Sequence, residues 1–66
     1  MKGVIKTFKD TTGHGTVEDE KGYQYFFTYV DCKFPSAQIM RGLTVQFELD
    51  YRGNDIPVAV NITKEN

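Results

Sequence analysis

Cysteine, histidine, proline and tryptophan are scarce in this chain of 66 residues: one, one, two and none. With Cys32 alone, no internal disulfide is open to it, and Cys32 plus His14 fall short of the ligand count of a metal site. Cys32 therefore reads as a small thiol, buried or half-buried. No apolar run is long enough to span a bilayer. No charged segment followed by an apolar stretch marks a secretory signal, so the expectation is a cytoplasmic protein without membrane association. One histidine and one cysteine assemble no nucleophile–base–orienter set. No catalytic residue, metal or cofactor is expected, and the chain is not read as an enzyme. An excess of positive charge is also missing. The formal net charge of −1 argues against strong non-specific binding to duplex DNA, which is driven by phosphate neutralisation. The charge is unevenly spread: Lys2, Lys6 and Lys9 share one short segment, and Glu18, Asp19 and Glu20 follow it.

What the chain has is aromatic residues. Five of the seven residues from Tyr23 to Tyr29 are Tyr or Phe, types that favour a pleated strand. Successive strand side chains point to opposite faces, so Tyr25 and Phe27 in a core put Phe26 outside. A one-residue slip would reverse this. The rest of the pattern is also β. Residues 2–9 alternate, with Gly3, Ile5 and Thr7 on one face and Val4, Lys6 and Phe8 on the other. Residues 10–13 form a turn. Residues 14–20 place Gly15 and Val17 inward and His14, Thr16 and Glu18 outward. Lys21-Gly22 connects a hairpin into residues 23–30. Residues 31–42 lose the period and read as a long loop with one helical turn near Asp31 to Lys33. Residues 43–50 restore strict alternation, with Leu43, Val45, Phe47 and Leu49 inward. Arg52, Gly53, Asn54 and Asp55 form a turn. Residues 57–63 place Val58, Val60 and Ile62 inward, and Pro57 suits a strand start. The expectation is one all-β domain over residues 1–66, a small five-stranded antiparallel barrel whose closure removes exposed edges. Asn61-Ile62-Thr63 fits a glycosylation acceptor but is read as chance without a secretory signal.

The ordered segments resemble the bacterial cold-shock proteins over nearly the whole chain. Val4-Ile5-Lys6-Thr7-Phe8-Lys9 stands where that family has K-V-K-W-F-N. Thr12-Gly13-His14-Gly15-Thr16-Val17 stands for its first ribonucleoprotein motif, K-G-F-G-F-I, and Tyr25-Phe26-Phe27-Thr28-Tyr29 for its second, V-F-V-H-F. Gly42 to Glu48 matches G-x-x-V-x-F-E, and Pro57 to Ile62 matches P-x-A-x-N-V. The resemblance implies an OB-fold barrel, cold-shock domain-like, that binds single-stranded RNA or DNA on its first three strands. Several departures fall on ligand-facing positions. Thr7 replaces the Trp, His14 and Thr16 replace two Phe, Thr28 replaces a His, and Thr12 replaces a Lys.

Candidate nucleic-acid-binding residues are accordingly Lys6, Phe8, His14, Phe26 and Tyr29, with Phe34 for the loop aromatic and Arg52 for the basic residue of the last loop. Rings would stack on bases and cations would meet phosphates. Phe8, near a strand end, either joins this face or folds over the barrel end as core. Gly13 and Gly15 read as backbone requirements, not as a phosphate cradle, because no helix follows them. The expected role is weak single-strand binding in RNA chaperoning or regulation of expression. The alternative is a barrel that has lost nucleic acid and serves as a protein-interaction or regulatory module. Phe26, Tyr29, Phe34 and Tyr51 would then meet a homodimer mate or another protein.

Overall fold

Five strands wrap into a closed barrel in a computed structural model that describes residues 1–53 and 55–65. They are β1 (Lys2–Lys9), β2 (His14–Asp19), β3 (Gln24–Thr28), β4 (Thr44–Asp50) and β5 (Val58–Lys64), arranged in the order β1-β2-β3-β5-β4 with β4 closing back onto β1. The chain is all-β, and its barrel is consistent with an OB-fold. No helix is long and apolar enough to cross a membrane among the described residues. Asn54, assigned above to the β4–β5 turn, lies outside the described residues.

Two features of the expected barrel need correction. The sheet is mixed, not purely antiparallel: β3 and β5 run parallel and meet at Phe26 and Val58. Parity requires this, because an odd number of strands cannot alternate direction all the way round a ring. The long connection also carries two 3-10 turns, Tyr29–Asp31 and Ser36–Gln38, instead of one near Asp31 to Lys33.

The core follows from the alternation, interrupted by two bulges. Ile5, Val17, Phe27, Ile39, Val45, Phe47, Ala59 and Ile62 are buried together. β4 behaves as its pattern dictates, with Val45 and Phe47 buried and Leu49 partly so. In β1 the pairing runs Ile5 to Val17 and then Thr7 to Thr16, so Lys6 is an extra, unpaired residue. That bulge reverses the faces beyond it. Thr7 is exposed, and Phe8 turns inward, the core placement of the two left open for it. In β5 a second shift falls opposite Phe47, with Asn61 at φ 51°. Asn tolerates this left-handed conformation better than most residues. The shift corrects the expected inward set: Ala59 is buried ahead of it and Ile62 behind it, while Val58 and Val60 are only half-buried.

Gly15 shows why one position tolerates no side chain. It sits between Phe8 on β1 and Phe27 on β3, whose rings stack with centroids 6.0 Å apart and planes 13° apart. A Cβ there would lie 2.2 Å from the carbonyl oxygen of Thr7 and 2.9 Å from the Phe27 ring. The missing side chain is what lets the two rings lean over the strand.

At the opposite end of the barrel, Asp19 organises the β2–β3 hairpin. Its Oδ1 accepts from the N–H groups of Lys21 and Tyr23 at 2.9 and 3.0 Å, and its Oδ2 from the Tyr25 hydroxyl at 2.9 Å. Partial desolvation opposes ionisation of Asp19. The hydrogen bonds from Tyr25, Tyr23 and Lys21 together outweigh it and hold the carboxyl below the ordinary carboxylate value. A depressed folded-state value means that this contribution to stability is present above the unfolded value of about 3.9 and is lost as pH falls through the folded value. Asp19→Asn should therefore melt lower than the parent near neutral pH, and the two melting temperatures should converge in strong acid. Thermal melts across that range check this, and a constant offset at every pH would contradict it.

Candidate functional site

The register of β1, β2 and β3 sets out two rows of side chains on the outer face of the barrel. Thr7, Thr16 and Phe26 lie opposite one another in the first row, and Lys9, His14 and Thr28 in the second. Phe26 is 65% exposed while its neighbour Phe27 is 2% exposed, which fixes the register without a slip. The Thr7 and Thr16 hydroxyls share a hydrogen bond of 2.8 Å beside Phe26. Cross-strand pairs of this kind contribute roughly 0.2–1 kcal/mol. Lys6 reaches the same side from its bulge, and its ammonium lies 3.8 Å from the Glu18 carboxylate. So exposed an ion pair adds little stability and leaves the lysine able to exchange partners.

Tyr29 follows β3 at the border of this face. Its N–H donates to the carbonyl of Gly13 at 2.9 Å, and its ring lies against the Gly13 backbone. Gly13 has φ 77°, and a Cβ there would stand 2.5 Å from that ring. The ring is thus seated on a peptide and remains 52% exposed.

Shallow grooves meet around these residues. One of about 220 Å³ is lined by Thr7, Lys9, His14, Thr16 and Phe26. A second, of about 290 Å³, lies toward the β4–β5 loop and is lined by His14, Phe26, Thr28, Asp31, Arg52 and Val58. A third, of about 540 Å³, runs between the β1–β2 turn and the Ser36–Gln38 turn, with Phe8 and Tyr29 on its walls. His14 and Phe26 line two of the three.

The structure places Lys6, His14, Phe26, Tyr29 and Arg52 around one surface and sets Phe8 and Phe34 partly into the core. Phe8 stacks on Phe27 and contributes only groove wall. Phe34 is half-buried, packs against the core, and lies under the ammonium of Lys64 at 5.8 Å from its ring centroid. It lines none of the three grooves. Arg52 is present but engaged. It has φ 50°, its Nε donates to Asp50 at 3.3 Å, and its Nη2 lies 3.5 Å from Asp31. Lys9, Thr7 and Asp31 join the face although sequence patterning did not nominate them. Lys9 and Thr7 were hidden by the bulge at Lys6, and Asp31 by its place in an aperiodic loop.

Neither a protein-family model nor a curated protein matches the chain. Its chemistry is read from the surface itself. Cys32 takes no part. Desolvation first, and then the charge of Asp31, push its thiol up to about 11. At neutral pH it is a protonated, unreactive thiol.

Proposed function

We propose that the outer face of β1, β2 and β3 binds single-stranded RNA or DNA, weakly, by stacking bases on exposed rings. The observation that carries this reading is Phe26. It is a large apolar ring held in solvent at the centre of a sheet whose core is complete without it. Tyr29 offers a second ring, His14 a third planar group, and Lys6 and Lys9 supply cations beside them. Every base has a π-face, so such a platform is tolerant of sequence. The resemblance of the chain to cold-shock proteins points the same way and suggests RNA chaperoning or control of expression in the cytoplasm, without catalysis. The loss of a ring at Thr7, Thr16 and Thr28 fits an affinity lower than a full aromatic face would give.

Titration of labelled oligo-dT or oligo-U at low salt tests the reading. Binding should weaken with salt along a shallow slope of about −1.4 in log K against log salt, as expected when two lysines meet single-strand phosphates. No binding at high micromolar protein would overturn the proposal. A second reading, a protein-interaction module, is favoured by the exposure of the apolar side chains of Val30 and Ile56. Sedimentation of the protein alone and with the oligonucleotide separates the two, since only the second reading expects self-association without nucleic acid.

A further inference from the structure

We propose that the groove between Phe26 and Arg52 reads a single base through Asp31, and that the base it selects is guanine. This rests on the single-strand reading of the β1–β3 face. At about 290 Å³ the groove lies at the small end of ligand pockets, a size suited to one base. Phe26 gives it a flat apolar wall, and Val58 lies on its lining too. The polar side is unusual for a nucleic-acid site. One guanidinium, Arg52, is shared by two carboxylates, Asp31 and Asp50, which leaves a local charge of one positive against two negative. A phosphate finds little attraction there. A ligand edge rich in hydrogen-bond donors does.

Asp31 is the group with capacity to spare. Its Oδ2 meets Thr28 Oγ1 and Arg52 Nη2, both at 3.5 Å, and its Oδ1 accepts no hydrogen bond among the described residues. An ionised carboxylate has about four lone-pair sites on its two oxygens. It is best matched by two parallel donors. Guanine alone among the bases presents two adjacent donors on its Watson–Crick edge, N1–H and the N2 amine, with the O6 acceptor next to them for the guanidinium. Adenine and cytosine set one donor beside an acceptor that a carboxylate repels. Uracil and thymine flank one donor with two acceptors.

The test is a titration of isotope-labelled protein, followed by NMR, with three heptamers: all-thymidine, the same with a central deoxyguanosine, and the same with a central deoxyinosine, which lacks the N2 amine. The guanine heptamer should bind about tenfold more tightly than all-thymidine, the scale of one good bidentate base contact, with inosine between them. Asp31→Asn should erase the preference, so that the guanine and all-thymidine heptamers bind the variant alike. If all-thymidine binds and guanine gains nothing, the inference fails and the single-strand reading stands. If guanine and inosine bind alike, or the preference survives in Asp31→Asn, Asp31 is not the reader. If no heptamer binds, both readings fall. The inosine comparison holds even if Asp31→Asn does not fold.

Discussion

Phe27→Ala should leave the chain without a cooperative thermal transition at physiological temperature. Phe27 is 2% exposed and sits in the centre of the core, stacked on Phe8 across Gly15. Truncating a buried Phe costs about 3–5 kcal/mol, combining lost transfer energy with the cavity left behind. Little relaxation is available here, because the groove above Gly15 is closed by two rings that lean on each other. A domain of this length has a total stability of roughly 3–10 kcal/mol, from about 0.05–0.15 kcal/mol per residue. One substitution therefore removes from about 30% to all of it. Thermal melting by circular dichroism reads the result. A sharp transition within a few degrees of the parent would mean that Phe27 does not carry the packing assigned to it.

The adjacent residue should behave in the opposite way. Phe26→Ala removes a ring that is 65% exposed and should change stability by no more than about 0.5 kcal/mol. The same change should weaken binding of a single-stranded oligonucleotide by about 1–3 kcal/mol, a loss of roughly 5- to 150-fold. The contrast between two consecutive phenylalanines, one needed for folding and one for the ligand, follows from the alternation of a strand. Equal affinity of Phe26→Ala and the parent would remove stacking on Phe26 from the account.

Much of this arrangement was legible in the residues. β4 alternates without interruption, and its buried positions are those the period names. The opposite placement of Phe26 and Phe27 also followed from period two. What the pattern could not give was the two places where one strand gains a residue on its partner. Nothing in Val4-Ile5-Lys6-Thr7-Phe8 marks Lys6 as a bulge, yet that one residue sends Phe8 to the core and Thr7 to the surface. The shift in β5 had a faint signal in Asn61, a residue type that accepts a left-handed backbone, but the regular spacing of Val58, Val60 and Ile62 masked it. The parallel pairing of β3 with β5 was implicit in counting five strands around a closed ring. Phe34 had no such guide. In an aperiodic loop no alternation says which way a ring points, and packing against the core decided it.

These corrections narrow the candidate surface. It retains Phe26, Tyr29 and His14 as planar groups, with Thr7, Thr16 and Thr28 between and beside them, and Lys6 and Lys9 as the available cations. Such a face favours short, weak contacts over a long continuous stack.

Chemical-shift mapping with a single-stranded heptamer at low salt tests the central claim most directly. Perturbations should concentrate on Thr7, His14, Thr16, Phe26, Thr28 and Tyr29, while Phe34 and Lys64, which line none of the grooves of that face, stay in place. Perturbations centred on Phe34, or no change at high micromolar protein, would contradict the account.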